Sequence, residues 1–292
     1  NNKNSLNETM KLIFYIFTIF PLKAAFATFN LLPKLLITAH PSFNVTKTNL
    51  SIAFPELSES ELISLSIDSI RETLKSFYET LYAWSRSPNK IIQHTKKINN
   101  RFLFSAQENY QGLIIFALHN RSIDFMLRWI STQRTHTSLY KTIKLKPVNQ
   151  FVKAFREEGG NTLAPTGIGG VKTIINALNN NQMTCMASDQ VPADGLGKYS
   201  IFFGHECYSF SLAPSLARKT NKPILMTSLS YDSALGHIMS FKKPDQKIYG
   251  EDGVDIMNKE MELEIRKCPK EYSWEYKKFR KLTNKSLNIY KA

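Results

Sequence analysis

The chain has 292 residues, 42% of them apolar, enough to bury one large core or two modest ones. Its 38 Lys and Arg against 24 Asp and Glu give a net charge of +14, which favours anionic partners: nucleic acid, anionic lipid headgroups or an acidic carrier protein. Cys185, Cys207 and Cys268 are an odd set without metal-ligand spacing, which argues against a disulfide framework or a metal site and fits a reducing compartment.

Residues 1–9 are polar, and Met10 to Thr38 is apolar and aromatic, interrupted by Lys11, Lys23 and Lys34. The uncharged stretch Leu12 to Leu22 is shorter than the roughly 20 residues of a bilayer span. On a single helix Lys23 and Lys34 share a face and Lys11 stands off it. Residues 1–40 are therefore expected to form a polar leader and a membrane-anchoring helix, inserted obliquely with snorkelling lysines or crossing outright, with a buried core helix as the alternative. Residues 41–292 are expected to form the catalytic domain.

Ser58 and Glu61 make a capping box, and Ile63, Ile67, Ile70, Leu74, Phe77 and Leu81 recur at helical steps to Trp84, so one face of this helix is expected to pack on the core. Ser85 to Asn89 breaks it, and Ile91 to Asn100 reads as a basic connector. Leu113 to Ala117 is a buried strand that stops at His119, and Ser122 can cap a helix over Phe125 to Ile130 with Asp124 in its first turn. Leu139 to Ile143 reads as a strand, and Val148 to Glu158 as a helix ended by Gly159-Gly160. Thr162 to Pro165 is extended, Gly169 to Asn179 helical, and Met183 to Ala187 a strand ending in Ser188-Asp189-Gln190. Ser211 to Lys219 reads as a helix, Ile224 to Ser230 and His237 to Phe241 as strands, and Ile256 to Ala292 as a helical, basic, aromatic tail. Alternating strands and helices indicate an α/β domain, in which sites gather at the carboxyl ends of strands.

His119 and Asp189 both lie at such ends. An imidazole can take a proton from an alcohol, and a carboxylate on its other nitrogen fixes the tautomer and stabilises the imidazolium. Asp124, five residues after His119, is the expected carboxylate, and the chemistry is that of an alcohol attacking an acyl group. The spacing is weak by itself, although His40, His94, His136, His205 and His237 have no acid five residues on. The competing reading has His119 bonding a backbone carbonyl at a strand end, and Asp189 serving as a cap or turn residue. Ser122 lacks the glycines of a nucleophile elbow, which favours capping over nucleophilic attack.

The ordered features resemble the late acyltransferases of lipid A biosynthesis, within the wider glycerolipid and lysophospholipid acyltransferases that share a His-x4-Asp/Glu motif. The resemblance covers roughly residues 10 to 285. Besides the amino-terminal segment and His119 to Asp124, it rests on Asn49-Leu-Ser-Ile-Ala-Phe-Pro-Glu-Leu-Ser58, Tyr78-Glu-Thr-Leu-Tyr-Ala-Trp84 and the Gly-Gly-Val-Lys-Thr-Ile-Ile-Asn-Ala-Leu helix from Gly169. Ala187-Ser-Asp189-Gln190, Phe202-Phe203-Gly204, Leu216-Ala-Arg218 and Tyr272-Ser-Trp274-Glu-Tyr-Lys-Lys-Phe279 complete it.

The resemblance implies a single glycerolipid-acyltransferase-like domain, a central mixed sheet flanked by helices. His119 is then the base and Asp124 the motif acid, where many members of the lipid A branch carry glutamate. Arg156 matches a family arginine that stabilises an oxyanion or holds a phosphate, with Asp189 positioning it. Gln190, Asn120 and Arg121 join the residues expected to bind substrate or oxyanion. The implied donor is an acyl-thioester of acyl carrier protein or coenzyme A, with no other cofactor and no metal. The implied acceptor is a membrane glycolipid at the cytoplasmic face of the bacterial inner membrane. A lysophospholipid, ornithine lipid or mannolipid acceptor, or a non-catalytic protein binding anionic lipid or carrier, stays open, and nucleic acid accounts for the charge alone.

Overall fold

The computed structural model describes residues 2–105, 112–284 and 289–290. The amino-terminal third is helical, with α1 (Asn2–Phe17), α2 (Leu22–Asn30), α3 (Lys34–Thr38), α4 (Phe43–Ala53), α5 (Glu59–Ser85) and α6 (Pro88–His94). The alternating part begins with β1 (Thr95–Asn99), α7 (Arg101–Ser105), β2 (Leu113–Ala117), α8 (Ile123–Gln133), β3 (His136–Tyr140), α9 (Lys146–Glu157) and β4 (Thr162–Pro165). It continues through α10 (Ile168–Asn179), β5 (Met183–Ala187), β6 (Gly197–Phe202), β7 (His205–Phe210), α11 (Leu212–Thr220), β8 (Ile224–Asp232), β9 (Gly236–Lys242) and α12 (Gly253–Lys267).

The main sheet has seven strands in the order β1-β9-β8-β2-β5-β3-β4, and β6 and β7 form a separate antiparallel pair. From β8 to β4 every pairing is parallel, whereas β9 runs antiparallel to β8, so the sheet is mixed as the resemblance implies. All five residues of β2 are buried, which its unbroken apolar run requires of a central strand covered on both faces. The strand period sorts them into two cores. Ile114 and Phe116 join Met186, Met226 and Trp274 on one face, while Leu113, Ile115 and Ala117 join Cys185, Phe125, Trp129 and Phe151 on the other. Gly170 has a close-packing role, since a Cβ there would stand 1.7 Å from the Pro165 carbonyl oxygen.

Several expectations shift. The amino-terminal segment is three helices broken near Pro21 and Pro33, and Ser5–Phe17 meets Leu22–Asn30 at 55°. Among the described residues no single helix is long and apolar enough to cross a membrane. Ile91 to Asn100 is no connector: it holds the end of α6 and the edge strand β1, whose lysines hide it from an apolar-pattern search. The third strand starts at His136, three residues before its apolar pair, because buried His136, Thr137 and Ser138 carry no apolar signal. Phe203 and Gly204, both at positive φ, turn the β6–β7 hairpin that sequence alone did not reveal. The helix of the tail stops at Lys267 before Pro269 and gives way to 3₁₀ turns at Pro269–Glu271 and Lys278–Arg280, while 285–288 and 291–292 lie outside the described residues.

The expected face of α5 holds at Ile67 and Ile70, which are buried with Leu74 against them, and fails further along the helix. Ser58 caps it with the reciprocal Glu61 bond, but Phe77 is 63% exposed and the buried face carries Glu72, Lys75, Tyr78, Glu79 and Tyr82. Charged residues can lie inside because partners meet them there, and those partners come from the loop that follows β2.

Candidate active site

The register of the central strands builds the site. Ala117 pairs with Ala187 between parallel β2 and β5, so the residues two positions further on, His119 and Asp189, emerge side by side at the carboxyl edge. His119 Nδ1 lies 2.7 Å from Asp189 Oδ1, and the His119 backbone N–H donates to Asp189 Oδ2 at 3.0 Å. A carboxylate accepts, so Nδ1 carries the proton and Nε2 keeps its lone pair for chemistry. Gln190 Nε2, 3.4 Å from His119 Nε2, is oriented to donate to that lone pair.

This corrects the expected dyad. Asp124 sits in the first turn of α8, with Ser122 accepting the Phe125 N–H at 3.1 Å as the cap, but its carboxylate belongs to Arg156. Arg156 Nε donates to Asp124 Oδ1 at 2.6 Å and Nη2 to Oδ2 at 3.1 Å, a two-pronged ion pair between α8 and α9. The two acids have exchanged the partners expected of them: Asp189 holds the histidine and Asp124 holds the arginine. The reason is geometric. A helix-capping turn carries Asp124 away from the imidazole edge that the β2–β5 register delivers to Asp189.

Burial alone would lower the His119 pKa, but the Asp189 carboxylate, through its charge and hydrogen bond, outweighs it and holds the imidazole above its ordinary value. Burial pushes Asp189 up, and His119 more than reverses this, leaving Asp189 below the usual carboxylate range. Tyr272, buried beside Asp189, has its hydroxyl pushed far up by burial and by that carboxylate, so it stays protonated. Burial also favours neutral Arg156, yet Asp124 dominates and keeps the guanidinium charged.

Two other expected contacts do not reach the site. Arg121 is 2% exposed and carries three carboxylates: its Nη2 meets Glu79 at 2.6 Å, and its Nη1 meets Glu72 at 2.7 Å and Glu271 at 3.0 Å. Burial raises the Glu79 pKa, but Arg121 and His237 overcome this and bring it to about 2. Arg121 also adopts the left-handed φ of 61°, so the cluster pins the turn that carries His119 onto α5. Asn120 is buried and bridges to Tyr272 through its backbone, and its side chain does not line the cavity.

That cavity, about 470 Å³, opens at His119 and runs under α8 beside β2, β3 and β5. His119, Arg156 and Gln190 are in its wall, and Ile115, Met126, Ile130 and Leu139 make much of its depth apolar. A few polar groups at the mouth of an apolar cleft is the usual form of a small-molecule site. Tyr276 and Arg280 also line it, and sequence reading gave them no role although the aromatic basic tail was visible. Tyr276 Oη accepts the Val191 N–H at 3.0 Å, which ties the tail to the loop after Asp189. Cys185 is in the wall too, but burial pushes its thiol up and keeps it protonated. Ser122 Oγ is occupied by Phe125 N–H and, at 2.7 Å, by Thr80 Oγ1, the role of a cap.

A histidine with a fixed tautomer, a charged arginine and an apolar cleft stand together here, and comparison with known sequences gives the family. Residues 10–281 match the sequence profile of the bacterial lipid A biosynthesis acyltransferases. The chain is 21% identical over 243 residues to a lipid A biosynthesis palmitoleoyltransferase of Escherichia coli (strain K12), covering 81% of this chain and 78% of the relative. It is 21% identical, with the same coverage, to a lipid A biosynthesis acyltransferase of Shigella flexneri. The protein belongs to the bacterial lipid A biosynthesis acyltransferase family, and it is an acyltransferase.

Proposed function

We propose that the protein transfers a fatty acyl chain from a thioester of acyl carrier protein to a hydroxyl of a lipid A precursor at the cytoplasmic face of the bacterial inner membrane. The observation that carries this reading is a histidine locked by Asp189 at Nδ1, with Nε2 at the mouth of a deep apolar cavity. The acyl chain lies along Ile115, Met126 and Ile130, and the thioester carbonyl stops between His119 and Arg156.

The acceptor hydroxyl gives its proton to His119 Nε2 as its oxygen attacks the carbonyl carbon, forming the C–O bond and moving the carbonyl pair onto oxygen. Asp189 stabilises the imidazolium, and the guanidinium of Arg156, oriented by Asp124, offsets the oxyanion. Collapse breaks the C–S bond, and the thiolate takes the proton back from His119. No acyl-enzyme is needed, in keeping with a capping Ser122 and a protonated Cys185. A net charge of +14 attracts both an acidic carrier and a phosphorylated acceptor.

The direct test offers the full chain in detergent a labelled acyl carrier protein thioester and a lipid A precursor, beside His119→Ala. Transfer by the wild type that falls by about 10³-fold or more in the variant is expected. Undiminished transfer in the variant would remove His119 from the mechanism. Transfer only to a lysophospholipid, ornithine lipid or mannolipid would reassign the acceptor and keep the chemistry.

A further inference from the structure

A second cavity, about 440 Å³, lies apart from the acyl cleft and plays no part in the reaction above. Its walls come from three separate pieces of chain: Pro21, Leu22 and Lys23 at the break between α1 and α2, Lys90 to Lys96 across α6 and β1, and Tyr231 with Ala234 to Gly236 at the β8–β9 turn. Lys23, Lys90 and Lys96 all line it, no acidic residue does, and among the described residues none of the three is recorded in an ion pair. The nearby acid, Asp232, is not in the wall; it accepts the Ala234 and Leu235 N–H groups of its own turn with one carboxylate oxygen and feels the charge of Lys23. Burial first, and then His237, Lys96 and Lys90, bring the His94 pKa to about 4, so this wall residue is neutral and the three lysines carry the charge of the cavity.

The surroundings are apolar. Phe17, Ile19 and Phe20, just before the cavity, are 68%, 65% and 64% exposed, and Leu235 in its wall is 46% exposed. Exposed apolar side chains next in the chain to a cavity suit a partner that is itself apolar. The cavity also shares an end of the molecule with His119. β8 leaves its β2 pairing at Thr227 and runs on to Asp232, so its turn projects beyond the carboxyl edge where His119 emerges, and β1 is three strand spacings from β2, about 14 Å.

We infer that this cavity is a second lipid site, which takes the phosphate headgroup of an anionic membrane phospholipid between Lys23, Lys90 and Lys96 while the acyl chains leave over Phe20 and Leu235. Lysine ammonium groups are phosphate donors that tolerate variable geometry, and the first amides of α2 add donors beside Lys23. The site does not rest on the acyl-transfer reading. It holds the protein on the bilayer in a fixed orientation whatever the acceptor is.

The test is flotation of the full chain with phosphatidylcholine vesicles, with and without phosphatidylglycerol, at one fixed ionic strength. The triple variant Lys23→Gln, Lys90→Gln, Lys96→Gln is compared with the wild type and with a control of equal charge change, Lys219→Gln, Lys243→Gln, Lys259→Gln, at exposed positions elsewhere. Wild type is expected to prefer the anionic vesicles, the site triple to lose roughly tenfold or more of that preference, and the control triple no more than about twofold. Circular dichroism and acyl transfer in detergent should be unchanged in both. A site triple that partitions like wild type, or a control triple that loses as much, overturns the inference, because net charge alone then explains binding. Release of wild type from vesicles by millimolar inorganic phosphate overturns it in favour of a soluble anion site, and no release supports the lipid. Should the site triple fail to fold, the single Lys90→Gln and Lys96→Gln variants carry the same comparison, each expected to lose about fivefold.

Discussion

At the scale of single residues, the site is two carboxylates with divided duties. Asp189 fixes the tautomer of His119, and Asp124 aims Arg156. A lysine can replace the charge of Arg156 but not its paired N–H groups, so Arg156→Lys is expected to reduce kcat by about 10–10³-fold with little change in thermal unfolding. Steady-state kinetics on the purified variant would check this, and near-wild-type kcat would remove the oriented guanidinium from the account. The place of His119 at a strand end was legible in sequence because an apolar strand stopping at a histidine is an unusual pattern. The division of the acids was not, since a spacing of five residues suggests a neighbour along the chain, whereas the register of β2 on β5 brings in Asp189 from 70 residues away.

At the scale of elements, the loop after β2 depends on α5. Arg121 bridges Glu72, Glu79 and Glu271, Lys75 also meets Glu72 at 2.7 Å, and His237 Nε2 lies 2.8 Å from Glu79 while its ring stacks 4.1 Å from Phe125. Arg121→Leu takes the guanidinium from three buried acids, leaving Glu72 with Lys75 and Glu79 with His237 but Glu271 without an ion-pair partner among the described residues, and should cost about 3–5 kcal/mol, a large share of the 5–15 kcal/mol typical of a folded domain. Denaturant unfolding would measure it, and a loss below about 1 kcal/mol would mean the cluster is looser than its distances indicate. In the sequence, Arg121 beside His119 suggests a substrate contact, and the apolar spacing that marks the helix gives Glu72 and Glu79 no inward role. Only the packing of α5 over the loop turns them inward. Capping signals were readable at Ser58 and Ser122 because they depend on neighbours three residues away, while β1, β6 and β7 were obscured by lysines and by a turn without a familiar Asn-Gly signature.

At the scale of the whole molecule, the sheet separates two main cores, and the cavity proposed to take the acyl chain is sunk into the one that contains α8 and α9. Alternation of strands and helices made this α/β plan visible in sequence, but strand order was not, and strand order is what places β2 beside β5. Ala187 lines the cleft next to Ala117, so Ala187→Phe should fill part of its depth and shift the products towards shorter acyl chains. Each methylene denied burial removes about 0.8 kcal/mol of donor binding. Mass spectrometry of the lipid products would reveal the shift, and an unchanged chain-length distribution would place the acyl chain elsewhere.

The exchange of carboxylates is tested most directly by the pH dependence of kcat/KM for wild type, Asp189→Asn and Asp124→Asn. In the proposed mechanism neutral His119 is the base, so activity should rise with pH through the imidazole pKa, and Asp189 holds that pKa above the ordinary 6.5. Loss of the Asp189 charge should move the acid limb to lower pH and reduce the plateau by about 10²–10⁴-fold. Asp124→Asn should reduce the plateau through Arg156 while moving the limb far less. A limb that moves with Asp124→Asn and stays in place with Asp189→Asn would contradict the assignment and return Asp124 to the histidine.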